Sequence, residues 1–462
     1  MKIFKGFGFG AIALAPFPIA LVMQAYFARK LPVEDIGIFA TISIFLGFIL
    51  VITNWSGDKY IISNPKLERD QTNEVFTYEF CFALMMYAVF IIFFKEIIAE
   101  ILQLPESIIL WLSIGLFFCY NALSRPKAIL EKKLMYPEAH LPLLFANIFA
   151  GAIGIVAFLN GYGVWSMLIW KLSVFFLELS LLFFVSPQRL KFKFNFSNSL
   201  KFISFSRPVF LAGIIGFFIL NADYFLVTSL LGTRDLGLYW MAFSVAMILI
   251  AFRDVVTKFL LPILAKMPSL EEKNILFSKL NGFFQLGAVL IVIVVTFWSD
   301  YGFIYVFGSQ WKESIPLFIV LVYAGLFKVM GGWTASLFFS VMNTKIQFNQ
   351  TILSGITLFP IIYGAIKLGG LFGAAMGVLI SQIIVTLYVF EAGVKKLSGF
   401  GVSYYFSYLT INIIFCSFLY IIATQSPIDL GVIPRIYLSI TSLAFAALTL
   451  WLSSLPDRLL PN

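Results

Sequence analysis

LPVEDIGIF at residues 31–39 returns as LGTRDLGLY at residues 231–239. Leu31 answers Leu231, Asp35 answers Asp235, Gly37 answers Gly237, and Phe39 is matched by Tyr239, each 200 positions apart. Each stretch reads as a turn from one helix into the next. A phrase said twice at that distance points to a duplicated unit.

The offset recurs. PESII at 105–109 is answered by KESIP at 312–316, and GYGVW at 161–165 by GGLFG at 369–373. Three turns in the same order predict two six-helix units, 1–190 and 208–395. A basic linker, 191–207, joins them, and two additional helices, 13 and 14, lie in 396–462. Six is even, so both units enter the membrane from the same side. They are parallel repeats about an axis along the membrane normal, and a central cavity is expected where they meet.

Composition places the chain in a membrane. Of 462 residues, 61% are hydrophobic and only 12% charged, with a mean hydropathy of +0.96. That is too apolar for a soluble globular class. A window of about 20 apolar residues finds segments near 7–28, 36–56, 76–97, 108–124, 141–160, 164–185, 208–229, 236–257, 280–299, 315–340, 351–367, 370–391, 404–423 and 432–454. The expectation is therefore an all-α polytopic membrane protein of about 14 transmembrane helices. Gly331–Gly332 reads as a break in the tenth. The first run follows Lys2 and Lys5 but is longer than a signal core and lacks a small-residue cleavage pattern, so it reads as a span. Cys81, Cys119 and Cys416 fall in apolar runs at unrelated spacings and read as buried free thiols.

Basic residues set the orientation. Alternate loops starting from the N-terminus carry 22 Lys and Arg, from Lys2 through Lys59, Arg125, Lys127, Arg189 and Lys266 to Arg458; the other loops carry six. By the positive-inside rule both termini are cytoplasmic. Topology and anionic headgroups then explain the net charge of +9, and nucleic acid is not expected as a partner.

The stretches MQAYFARKLPVEDIGIFATISIF (23–45), RPKAILEKKLMY (125–136), LNGYGVWSMLIWKL (159–172), NADYFLVTSLLGTRDLGLY (221–239) and FGSQWKESIPLF (307–318) resemble the polysaccharide flippases of the Wzx type. These belong to the multidrug/oligosaccharidyl-lipid/polysaccharide exporter (MOP) superfamily. The resemblance covers most of 1–395 and none of the last two helices. It implies a protein of the bacterial inner membrane that moves a polyprenyl-pyrophosphate-linked oligosaccharide from the cytoplasmic to the outer leaflet for surface polysaccharide biosynthesis. Polysaccharide polymerase and assembly proteins are the expected protein partners. The resemblance also marks Arg29, in ARKLP, as a family-like position.

Ionisable residues at membrane depth are costly and face a cavity or a partner. Arg29, Lys171, Arg253 and Lys328 are the candidate cations for an anionic headgroup that must leave water without its charge going unpaired. Glu178, Asp223 and Asp254 are the candidate coupling or partner carboxylates, with H+ or Na+ as the ion. Lys171 and Glu178, two turns apart on one helix, are expected to share a polar stripe. Glu79 reads as an interface residue and Glu391, near Lys395, as half of a surface ion pair.

Several chemistries find no support. The sequence has no GxxxxGK[ST] phosphate loop, a single histidine, His140, and no HExxH or Cys–His ligand spacing. No expected outer loop is long enough for a catalytic domain. No cofactor, metal or enzymatic activity is expected. A drug or small-solute/ion antiporter of the same superfamily is the alternative function, and a membrane scaffold in an envelope-assembly complex a third.

Overall fold

The computed structural model describes residues 15–453, apart from 65–66, 102–107, 134, 248, 251–252, 254–256, 258–259, 261–262, 265, 342–344, 399–401 and 426–431. Among the described residues the regular structure is helical throughout, and the chain is an all-α polytopic membrane protein. Nine helices are long and apolar enough to cross a bilayer, or ten if the bent pair Ile108–Phe118 and Tyr120–Lys132 forms one span. This differs from the expected fourteen for local reasons. The apolar run at 208–229 divides at Asn221 into Phe196–Leu220 and Ala222–Leu231. Those at 351–367 and 370–391 stay two helices as expected: within Lys345–Val389 the backbone leaves the helical region at Gly369 and Gly370, and the two arms fold back until a Cβ on Gly377 would stand 2.8 Å from Ile362 Cα. The first run keeps only Pro16–Lys30 among the described residues.

The chain forms two compact units, Met1–Asn221 and Ala222–Asn462. The division falls inside the apolar run 208–229, and the basic stretch 191–207 stays with the first unit.

In the first unit, Leu31 leaves the helical region at φ −101°, ψ 146°. Pro32, with no N–H to satisfy, precedes the next helix, Val33–Ile52. That helix buries Ile36 and Ala40 completely. Ile42, Leu46 and Ile49 pack with Phe90, Trp111, Ile114 and Phe117 into the unit's main apolar cluster. The start of the basic stretch is strapped to the Arg69–Phe93 helix: Lys191 N donates to Asn73 Oδ1 at 3.2 Å and Lys193 N to Thr77 Oγ1 at 2.9 Å. The buried side chains of Asn73 and Thr77 thus satisfy backbone donors that have no ladder of their own.

In the second unit the repeated turn has the same build with different atoms. Gly232, at φ 94°, takes a conformation open to glycine, and Thr233–Ala246 follows with Leu236 and Tyr239 fully buried. The turn is clamped to the next repeated element. Arg234 donates two hydrogen bonds to Glu313, at 3.1 and 2.9 Å, and Ser314 Oγ donates to Leu238 O at 3.0 Å. PESII, the partner of KESIP, begins at residues outside the described set.

The Ser314–Ser340 helix is buried over most of its length. Gly331–Gly332 do not break it. They leave room on its surface, because a Cβ on Gly332 would stand 2.4 Å from Arg253 Cδ. The Leu270–Phe307 helix has 38 residues, about 57 Å at 1.5 Å per residue, well beyond a hydrocarbon core of roughly 30 Å. The last two helices, Val402–Gln425 and Val432–Ser453, pack against it. Trp298 Nε1 donates to Ser439 Oγ at 3.0 Å, and Arg435 donates to Phe297 O at 2.6 Å while pairing with Asp300. Cys119 and Cys416 are buried, whereas Cys81 is exposed. Cys81 corrects the expectation: an apolar run in a membrane helix can face lipid as readily as a neighbour.

Candidate functional site

Each unit carries a constellation of charged and hydroxyl groups inside its helices. In the first unit it centres on Arg125, whose exposure is only 2%. The 58° bend between Ile108–Phe118 and Tyr120–Lys132 brings this residue inward. Arg125 Nε lies 2.8 Å from Glu79 Oε2 and its Nη1 3.5 Å from Asp58 Oδ1. Glu79, fully buried, also accepts the Gly57 N–H at 3.0 Å. Glu79 was expected at the headgroup interface; a buried guanidinium holds it inside instead. Two carboxylates on one guanidinium keep the charge paired where its desolvation would otherwise be prohibitive.

Glu178, also buried, faces the same region. Tyr120 Oη donates to its Oε2 at 2.6 Å and Lys127 Nζ to its Oε1 at 3.0 Å. Lys171, expected on one polar stripe with Glu178, meets an aromatic ring. Lys171 is half-buried, and its ammonium sits 5.6 Å from the centre of the Phe39 ring, a cation–π contact. Between these groups lies a cavity of about 220 Å³ lined by Asp58, Tyr120, Asn121, Arg125, Lys127 and Glu131 among others. Around it the carboxylates Asp58, Glu79, Glu131 and Glu178 outnumber the cations Arg125 and Lys127.

In the second unit Asp223 is buried and accepts a 2.8 Å hydrogen bond from Tyr239 Oη. Tyr224 and Tyr239 meet edge to face, with ring centres 5.8 Å apart. Lys328 is half-buried, one turn from Gly332 on the same helix face. Arg253 lies over Gly332, so Lys328 and Arg253 come together on one face of the Ser314–Ser340 helix.

The remaining expected residues are not part of either group. Arg29 is exposed in the last turn of Pro16–Lys30, and Asp254 lies outside the described residues. Lys395 and Glu391 form an exposed pair at 2.8 Å. Sequence reasoning missed Arg125, Lys127, Tyr120 and Asp58 because it assigned Arg125 and Lys127 to a cytoplasmic loop and did not weigh the other two. The available signal was RPKAILEKKLMY, where Pro126 directly follows an arginine at the end of an apolar run. Among the described residues no cluster of three or more His, Cys, Asp or Glu is arranged to hold a metal ion.

Comparison with known proteins accords with this architecture. A family profile described as "Polysaccharide biosynthesis protein" matches residues 26–316, more than half of the chain. The lipopolysaccharide biosynthesis protein WzxC of Escherichia coli (strain K12) is 27% identical over 191 residues, covering 40% of this chain and 38% of that protein. The succinoglycan biosynthesis transport protein ExoT of Rhizobium meliloti (strain 1021) is 23% identical over 317 residues, 65% of this chain and 61% of that protein. The chain thus matches less than two thirds of the length of either relative. Among solved structures, lipid II flippase MurJ in an inward closed conformation superposes with a TM-score of 0.74 at 15% identity, over 96% of this chain and 99% of that one. An inward-facing MATE family transporter of the MOP superfamily gives 0.64 at 13% identity, over 84% and 95%. The chain belongs to the polysaccharide biosynthesis protein family and has the fold of the MOP-superfamily transporters.

Proposed function

We propose that the chain is a flippase that carries a polyprenyl-pyrophosphate-linked oligosaccharide from the cytoplasmic to the outer leaflet by alternating access. It resides in the bacterial inner membrane with both termini cytoplasmic and serves surface polysaccharide biosynthesis. The observation that carries the reading is the family match over 26–316, on a chain with nine or ten helices, among the described residues, long and apolar enough to cross a bilayer. The names of the relatives, a lipopolysaccharide biosynthesis protein and a succinoglycan transport protein, and the flippase title of a structural neighbour support it.

A pyrophosphate headgroup leaves water only where cations replace its hydration. Lys328, Arg253 and Lys171 fill that role in this reading, and Arg29 serves at the helix end. Asp223 is the better candidate for coupling to H+ or Na+, since Glu178 is already committed to Lys127 and Tyr120. The protein makes and breaks no covalent bond. Polymerase and assembly proteins receive the glycan.

One observation favours a second reading. The lining of the first unit's cavity is balanced, Asp58 and Glu131 against Arg125 and Lys127, and both cations are already paired with the buried Glu79 and Glu178, which suits a drug-cation or small-solute antiporter better than an anionic headgroup. Reconstitution decides. Purified protein in liposomes with a fluorescent polyprenyl-pyrophosphate oligosaccharide should move the lipid to a quencher-protected leaflet, and Lys328→Ala should lose that movement while remaining folded. Transport of a small organic cation against an ion gradient, with no movement of any lipid-linked glycan, would establish the antiporter instead.

A further inference from the structure

A groove of about 790 Å³ runs along the first unit, between Ile108–Phe118 with its bent continuation and Trp165–Val185. Phe117 and Leu168 are buried along it, while Ile109, Leu116 and Phe176 stand exposed at 73%, 49% and 59%. Two of its serines are satisfied within their own helices: Ser113 Oγ donates to Ile109 O at 2.8 Å and Ser180 Oγ to Phe176 O at 2.9 Å. Most of the lining is Ile, Leu and Phe, so the groove suits an apolar chain.

Its length narrows the choice. From Ile109 to Phe118 the wall rises about 14 Å before the bend, and from Trp165 to Phe183 about 27 Å, at 1.5 Å per residue. A hydrocarbon core is roughly 30 Å thick, so one leaflet offers only about 15 Å. A phospholipid acyl chain ends near the midplane and would leave the far part of the groove to be filled by something else. A polyisoprenoid long enough to cross both leaflets fills it whole.

The groove meets charge at its Tyr120 end. Tyr120 lines both the groove and the charged cavity. Beside it, Lys127 gives one hydrogen bond to Glu178, and an ammonium has three to give. Its side chain is 24% exposed, so it can meet a headgroup without first being uncovered.

We infer that this groove holds the polyisoprenoid chain of the lipid-linked substrate, with the first phosphate at Lys127 beside Tyr120. The inference rests on the flippase reading. It assigns the tail to the N-terminal unit, on the lipid-facing side of the helix pair whose inner face carries Glu178.

The test uses full-length protein in nanodiscs of phosphatidylethanolamine and phosphatidylglycerol, photolysed with a diazirine-tagged polyprenyl phosphate. Cross-linked peptides should fall within 109–123 and 165–183, and unlabelled polyprenyl phosphate should compete where added phosphatidylglycerol does not. Ser113→Trp, or Leu116→Trp should the first variant fail to fold, should cut the labelling about tenfold, equivalent to losing one decade of affinity. Ile148→Trp, on an exposed position of the Tyr136–Leu159 helix outside the groove, should leave labelling unchanged. Labelling confined to other helices, or equal competition by phosphatidylglycerol, overturns the assignment. Glycan translocation assayed in liposomes of the same composition separates the two readings. Translocation with an unlabelled groove defeats the groove alone, and a labelled groove with no translocation of any lipid-linked glycan defeats the flippase reading.

Discussion

Tyr239 Oη donates a 2.8 Å hydrogen bond to Asp223 Oδ2, both residues being buried. Tyr239 is the counterpart of Phe39 in the repeated turn, and Phe39 lies under the ammonium of Lys171. The same aromatic position therefore lies beside an ionisable side chain in each unit, a carboxylate in one and an ammonium in the other. The extra hydroxyl of Tyr239 is what a buried carboxylate needs and an ammonium over a ring does not. Tyr239→Phe should destabilise the protein by about 1–3 kcal/mol, the cost of leaving a buried acceptor unmade. In an Asp223→Asn background the same change should cost clearly less, and melting curves of the four proteins give the coupling directly. Equal losses in both backgrounds would mean that the bond contributes nothing specific.

Arg125 makes a sharper case. Truncating it to Ala leaves Glu79 buried with only the Gly57 N–H, and removing one member of a buried pair costs about 3–5 kcal/mol. Folded yield should fall heavily, and Glu79→Gln in the same protein should recover much of it. A single Arg125→Ala protein that melts like wild type would show that Glu79 is already protonated or solvated.

Why one part of this was legible in the sequence and another was not follows from range. Apolar segments and repeated turns are local patterns, so the helices and the 31–39 and 231–239 junctions could be read directly. Gly370, at φ 55°, sits in the GGLFG turn where that reading put it. Ion pairing in a bundle is not local. Glu178 was read as sharing a polar stripe with Lys171 seven residues away, yet it bonds Lys127, 51 residues back, on a stretch whose charge made it look like a solvated loop. Glu79 was read as an interface residue for the same reason, because the bend that carries Arg125 inward has no signature except Pro126. Cys81 failed differently, since hydropathy distinguishes membrane from water but not lipid from neighbouring helix.

Acid should loosen the second turn. The hydrogen bonds from Arg234 hold the carboxyl of Glu313 below its ordinary value of 4.5. A lowered folded pKa means that the pair stabilises above the unfolded value and loses that contribution as pH falls through the folded one. Both partners are exposed, so the effect is small and weakens with salt. Arg234→Gln should flatten the acid side of the melting temperature profile below about pH 4.3, the ordinary range of a glutamate, without altering it at pH 7 in high salt. A mutant profile parallel to wild type through that window would rule the contribution out.

The C-terminal helix pair is held by a guanidinium. Arg435 is 7% exposed, pairs with Asp300, donates to Phe297 O and stacks 4.4 Å from the Tyr301 ring centre. Arg435→Met keeps the bulk but leaves Asp300 without its partner, and a loss of about 3 kcal/mol is expected. Proteolysis in detergent should then cut first between the last two helices and the rest. An unchanged cleavage pattern would show that apolar packing alone holds the pair.

Gly332 offers a way to move Arg253 without removing it. An added Cβ would stand 2.4 Å from Arg253 Cδ and 3.0 Å from its Nη1, closer than non-bonded atoms approach, so the arginine must swing away while the helix keeps its course. Alanine is the better helix former of the two residues, and the protein should stay folded. Gly331→Ala is the natural control, because there the new atom would meet Thr386 Oγ1 at 3.2 Å and touch no charge. If Arg253 receives the headgroup, Gly332→Ala should slow translocation about tenfold, the effect of raising a barrier by ~1.4 kcal/mol, and Gly331→Ala should not. The loss should not add to that of Arg253→Ala, since both act through one guanidinium. Additive losses would place the effect of Gly332 in helix packing and remove Arg253 from the path.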